Sequence, residues 1–177
     1  MTNVECFKAY DIRGIVPDQL NDDIAYKIGR AFAEFLKPKT VVVGYDARLS
    51  SPSIAKNVIE GLIDGGSSVI DIAQCGTEMV YFATSHLNAD GGIMITASHN
   101  PKDYNGYKVY GEDGCQLLDE PSLEIMKISE NLDLFELDEY DFDAALRAGK
   151  VIYADDEAFE TYKAEVREQS LSDIENI

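Results

Sequence analysis

The sequence predicts an α/β fold, a mixed and mostly parallel four-stranded sheet sandwiched between helices. Short β-branched runs alternate with amphipathic helical stretches from residue 21 to residue 97, and strands that alternate with helices imply a largely parallel sheet covered on both faces. Only a few residues separate the third apolar run from the next strand-like stretch; a helical crossover does not fit there, so that pair reads as antiparallel. A chain of 177 residues holds one full-sized domain and not two ordinary ones, and with 45% hydrophobic residues it can bury a core.

Residues 21–38, NDDIAYKIGRAFAEFLKP, place Asn21 as an N-cap, acidic residues in the first turn, and apolar groups at Ile24, Ile28, Ala31, Phe32 and Phe35 before Pro38 stops the helix. TVVVGY then reads as a strand that ends in a polar loop, DARLS. SPSIAKNVIEGLIDGG follows as a helix, with Pro52 near its start and Gly65 and Gly66 past its end. SSVIDIA, TEMVYFATSHL and GGIMITA repeat the pattern as strand, helix and buried strand, and GYKVYG makes the fourth strand. DEPSLEIMKISENL reads as a further helix. Residues 130–143 then carry seven acidic side chains and no basic one, a solvated linker or edge. The last stretch, residues 155–177, is helical in pattern, with no following element to cover its apolar side.

Fifteen basic residues against 33 acidic ones give a net charge of -18, which repels nucleic acid and anionic membranes. A small phosphorylated metabolite remains compatible, because a few basic side chains and backbone N–H groups within one cleft set the local potential. Cys6, Cys75 and Cys115 have no CxxC spacing and suggest neither a disulfide framework nor a zinc site. The reading is a cytoplasmic chain without an export signal or a membrane span.

Ligands of open α/β sheets bind beyond the carboxyl ends of the strands. Two polar loops sit there, GYDARLS at 44–50 and SHNPKDYNG at 98–106. Ser98 is delivered by an apolar strand, as a positioned nucleophile needs; Ser, His, Asn and Pro are also ordinary turn residues. His99 is adjacent, and Asn100 before Pro101 is held extended. No Gly-x-Ser-x-Gly elbow is present, which leaves a Ser-His hydrolase without support. In KAYDIRG, residues 8–14, Arg13 suits a two-pronged phosphate contact or an ion pair with Asp11 or Asp46. Lys108 suits proton transfer, or a stem laid along an edge strand. Asp46 and Arg48 suit a mutual or helix-capping ion pair rather than direct ligand contact, and as such could orient the serine loop.

KAYDIRG, GYDARLS, GTEMVYFA and TASHNPKDYNGYKV, in this order from about Cys6 to Val109, resemble the α-D-phosphohexomutase family and, within it, the bacterial phosphomannomutase branch. The resemblance implies phosphohexomutase domain I over residues 1–145 and a linker with the incomplete start of domain II over 146–177. It implies a phosphoserine at Ser98 and the interconversion of mannose 6-phosphate and mannose 1-phosphate through a hexose 1,6-bisphosphate. Tyr10 and Arg13 would belong to the active-site arm, His99 would lie beside the phosphoserine, Asn100 would contact substrate, and Lys108 would move a proton or stabilise charge. Mg²⁺ is implied, with Ser98 or its phosphate as the one family ligand in these residues. The metal loop of domain II and the sugar and phosphate loops of domains III and IV have no counterpart here. The expectation is therefore an N-terminal piece of a longer enzyme, inactive alone and able to self-associate through its last helix. Phosphoglucomutase, phosphoglucosamine mutase and a non-catalytic phosphosugar-binding module stay open as alternatives.

Overall fold

A computed structural model describes residues 12–118, 120–133, 142–154 and 156–169. Strand β1 (Ile12–Ile15) leads to helix α1 (Asp22–Leu36), then β2 (Thr40–Tyr45), α2 (Ser51–Asp64), β3 (Ser68–Gln74), α3 (Thr77–His86), β4 (Gly91–Ile95) and β5 (Tyr104–Gly111). Helix α4 (Glu120–Asn131), helix α5 (Phe142–Arg147), strand β6 (Val151–Tyr153) and helix α6 (Asp156–Gln169) complete the described order.

The punctuation of the sequence works as its chemistry requires. The Asn21 side chain accepts from the Ile24 N–H at 3.0 Å, a cap worth about 1 kcal/mol. At the other end Lys37 turns into the left-handed region at φ 50, and Pro38 follows. Pro52 occupies the first turn of α2, where its missing N–H costs nothing.

The sheet is mixed, in the order β1-β5-β4-β2-β3-β6. Strand β2 runs parallel to β3 and to β4, and β6 runs parallel to β3. Strand β5 lies antiparallel to β4, as its short connection predicts, and antiparallel to β1 as well. The sheet has six strands rather than the expected four, and β5 is internal rather than an edge. Both added strands are edges of four and three residues, too short to show a period of two. The segment read as a linker supplies one of them, β6.

Alternation along the strands sorts the core into two layers. Val41 and Val43 of β2, Ile93 and Ile95 of β4, and Tyr107 and Val109 of β5 join the apolar sides of α1, α2 and α4. Val42, Met94 and Tyr110 face the other way, onto Val80 and Ala83 of α3. Helix α6 lies on the α3 side, with Tyr162 edge-on to Phe82 at 5.3 Å, and leaves Phe159 and Val166 about half exposed. No described helix is long and apolar enough to cross a membrane.

After β2 the chain moves to one side, to β3, and then returns to β2's other flank as β4. The strand order reverses between β2 and β4, and open α/β sheets bind ligands beyond the carboxyl ends of the strands at such a reversal. Loop 46–50 and loop 96–103 both leave the sheet at that point.

Candidate active site

Pairing holds the two loops together until just before they diverge. The Asp46 N–H donates to the Ile95 carbonyl at 3.0 Å, and the Thr96 N–H donates to the Gly106 carbonyl at 2.9 Å. Two residues later Ser98 stands in the left-handed region at φ 54, which non-glycine residues avoid because Cβ crowds the following carbonyl. Its N–H donates to Thr96 Oγ1 at 2.9 Å. Its hydroxyl lies 2.9 Å from His99 Nδ1, so the neighbouring ring does face it. The Asn100 side-chain amide donates to the Ala97 carbonyl at 3.0 Å and closes the turn.

Behind this loop lies a polar network. Asp46 accepts from the Ser51 hydroxyl at 2.7 Å, from the Thr96 hydroxyl at 2.8 Å and from Arg48 Nε at 3.1 Å. Arg48 in turn donates to the carbonyls of Ser98, Asn100, Pro101 and Tyr104. Asn105, fully buried, donates to both the Ser50 and Ser51 hydroxyls at 2.9 Å and accepts from the Gly106 N–H. The start of α2, the end of β4 and the start of β5 are thereby tied into one unit. Buried polar groups satisfied this completely rigidify rather than destabilise their surroundings.

Arg13 is half-buried in β1, opposite Gly106 of β5. A Cβ at Gly106 would lie 3.0 Å from Arg13 Cγ and 2.1 Å from the Ile12 carbonyl oxygen, so the missing side chain is what lets the arginine stem cross the strand. Lys108 is two residues along β5 and shares that face by alternation. Arg13 and Lys108 therefore stand together on the sheet face opposite the Tyr107 side chain, and exposed Lys102 lies in the serine loop. All three cations belong to a chain whose net charge is -18. Tyr10 lies outside the described residues.

Ser98, His99, Asn100 and Arg48 form one contact group, while Arg13 and Lys108 share a face of β1 and β5. Thr96 and Asn105 lie within the TASHNPKDYNGYKV stretch, but nothing local singles them out: the partners that give them their roles in the network, Asp46 and the Ser50 and Ser51 hydroxyls, lie 50 or more positions away. Their roles exist only once the strands pair.

For a metal, the donor set is thin. No group of three or more His, Cys, Asp or Glu able to hold an ion occurs among the described residues. Asp46, the carboxylate behind the Ser98 loop, has both oxygens engaged by the network. The Ser98 oxygen, or a phosphate on it, fits as a single ligand, and the described residues do not complete a site.

Residues 4–135 match the model of the phosphoglucomutase/phosphomannomutase family, alpha/beta/alpha domain I. A phosphomannomutase of Klebsiella pneumoniae is 52% identical over 131 residues, which cover 73% of this chain and 83% of that one. A phosphomannomutase of Escherichia coli strain K12 is 49% identical over 140 residues, 78% of this chain and 31% of the relative. Among solved structures, a phosphoglucomutase/phosphomannomutase family protein of Burkholderia thailandensis superposes with a TM-score of 0.77 at 29% identity, over 96% of this chain and 36% of that chain. The chain thus spans about a third of the length of the latter two.

Proposed function

Since the chain belongs to the phosphoglucomutase/phosphomannomutase family, whose domain I it carries, we propose that it supplies the phosphoryl-carrying serine of a phosphomannomutase. The parent protein interconverts mannose 6-phosphate and mannose 1-phosphate, and the names of the relatives at about half identity support mannose over glucose or glucosamine. The observation that carries this reading is Ser98 itself, set at φ 54 at the reversal of strand order with its hydroxyl 2.9 Å from His99 Nδ1.

Phosphoryl transfer asks a protein mainly for positioning and for neutralisation of charge on the transferring oxygens. Phosphorylated Ser98 gives its phosphoryl group to a hydroxyl of the hexose phosphate: the bond from phosphorus to Ser98 Oγ breaks, and a new bond forms to the sugar oxygen. The resulting 1,6-bisphosphate returns its other phosphoryl group to Ser98 Oγ. In that return step His99 Nδ1 is placed to take the serine proton. Arg13 and Lys108 stabilise the charge that builds on the phosphoryl oxygens, Lys108 also exchanging a proton with the sugar hydroxyl, and Tyr10 and Asn100 contact substrate. Phosphohexomutases generally use Mg²⁺, which bound at the Ser98 oxygen would neutralise part of the phosphate charge, with its remaining ligands from beyond the described residues. Domain I takes in residues 1–145 and the strand β6 and helix α6 of the following segment, which leads on toward domain II, and turnover belongs to the whole parent protein. A phosphosugar substrate supports a cytoplasmic setting for it.

The test is the intact mass of the protein after incubation with a hexose 1,6-bisphosphate. A single phosphate adduct on wild type that is lost in Ser98→Ala is expected. No adduct on wild type, or one that persists in Ser98→Ala, overturns the proposal.

A further inference from the structure

Arg48 has no donor left for a ligand. A guanidinium carries five N–H groups and no acceptor, and five acceptors surround it. Nε donates to Asp46 Oδ2 at 3.1 Å; Nη1 donates to the Pro101 and Tyr104 carbonyls at 2.6 and 3.0 Å; Nη2 donates to the Ser98 and Asn100 carbonyls at 3.0 and 2.8 Å. Asp46 is equally saturated. Oδ1 accepts from the Ser51 hydroxyl and the Arg48 N–H at 2.7 and 3.1 Å, and Oδ2 accepts from Thr96 Oγ1 and Arg48 Nε at 2.8 and 3.1 Å. That fills the four or so lone-pair sites a carboxylate offers.

Both peptide groups that set the Ser98 backbone are held by this pair. The Ser98 N–H is fixed by Thr96 Oγ1, itself anchored on Asp46, and the Ser98 carbonyl is fixed by Arg48. A left-handed φ at a non-glycine residue persists only where its surroundings over-determine it, and here they do so from both sides. Four loop carbonyls that end on one cation are also kept from pointing at an incoming phosphate, which they would repel.

We infer that Asp46, Arg48 and Thr96 are positioning residues, a clamp that holds the Ser98 hydroxyl in its reactive orientation without touching the ligand. The inference rests on the phosphoserine reading above. It separates the rate of phosphoryl transfer from the affinity for the donor: a loosened clamp misplaces the nucleophile, at a cost of about 100-fold for a displacement near 1 Å, while the groups that bind the bisphosphate stay in place.

The experiment is single-turnover phosphorylation of Ser98 by hexose 1,6-bisphosphate, followed by intact mass in the full-length protein, with Arg48→Met and Thr96→Val. We expect the maximal rate to fall about 100-fold in Arg48→Met and roughly tenfold in Thr96→Val, with half-saturating donor concentrations unchanged. A folded Arg48→Met that reacts at the wild-type rate overturns the clamp. So does a loss of rate that excess donor restores, which would make Arg48 a phosphate ligand. Should Arg48→Met fail to fold, Thr96→Val decides on the same two readouts. Exchange of the Ser98 amide hydrogen is measured in parallel and is expected to speed up roughly tenfold in Thr96→Val; unchanged exchange overturns the clamp whether or not serine is phosphorylated. A wild type that takes no phosphate while its Thr96→Val variant shows the faster exchange would refute the phosphoserine reading and leave the clamp standing.

Discussion

Asp71 is a buried carboxylate in the middle of β3, where its Oδ1 accepts from the Ala73 N–H at 2.8 Å. Burial raises its pKa above the ordinary carboxylate value, and the Ala73 hydrogen bond offsets this only in part. Its neighbours respond in kind: burial first, and the Asp71 charge second, raise the Tyr45 phenol, while burial leads in pushing the Cys75 thiol up to about 12. The folded chain holds the Asp71 proton where the unfolded chain has already released it. Stability from this group is therefore complete below the unfolded value and falls as pH rises through the raised native value. Asp71→Asn removes the loss and keeps an acceptor for Ala73. The thermal midpoint of the variant is expected to exceed that of wild type at pH 7, with the gap closing near about pH 4. A gap of equal size at both pH values would show that the charge of Asp71 is not what costs stability. A single side chain such as this one is hard to read from sequence, because SSVIDIA looks like any half-buried strand. Arg48 was easier, since an arginine two residues from an aspartate invites an ion pair. The pairing is open to the sequence, but the four carbonyls that absorb the remaining donors of Arg48 are not, because they lie 50 or more positions away and come together only in the fold of the serine loop.

Helices α1 and α2 cross where each presents a glycine. A Cβ on Gly29 would lie 2.1 Å from the Val58 carbonyl oxygen, and one on Gly61 would lie 2.1 Å from the Tyr26 carbonyl oxygen. Neither obstacle is a flexible side chain, so the helices would have to separate. Gly61→Ala gains about 1 kcal/mol of helix propensity, yet the overpacking it forces costs about 1–3 kcal/mol, and a clash with backbone belongs at the upper end. A net loss of stability is expected, read as a lower denaturant midpoint with an unchanged slope. A raised midpoint would mean that the crossing is loose enough to accept a methyl group. Elements of this length were legible because their signals are local, as with the Asn21 cap, Pro38, Pro52 and the uniformly apolar β4. The edge strands β1 and β6 were not. Ile12 and Ile15 flank Arg13 and Gly14 without a strand's regularity, and Val151–Tyr153 is three residues long. Each becomes a strand through the partner it meets, Tyr104–Tyr107 for β1 and Val69–Asp71 for β6.

Across the whole molecule the dominant electrostatic fact is a net charge of -18 on 177 residues. Local ion pairs do little against it. Arg30 with Glu34 and Lys56 with Glu60 stand 3.8 Å apart on helix surfaces, and Lys127 pairs with Glu124 and Lys163 with Glu160 in the same exposed manner. Such pairs contribute about 0–1 kcal/mol each and are themselves weakened by salt. The long-range repulsion among surplus carboxylates favours expansion of the chain. It is screened when the Debye length shrinks from about 30 Å at roughly 0.01 M salt to about 8 Å at roughly 0.15 M. The two salt effects oppose each other, and the imbalance of 33 acidic against 15 basic residues decides the sign. Added sodium chloride over that range is expected to raise the thermal midpoint, followed by circular dichroism at pH 7. A midpoint that falls instead would mean that the surface pairs outweigh the repulsion.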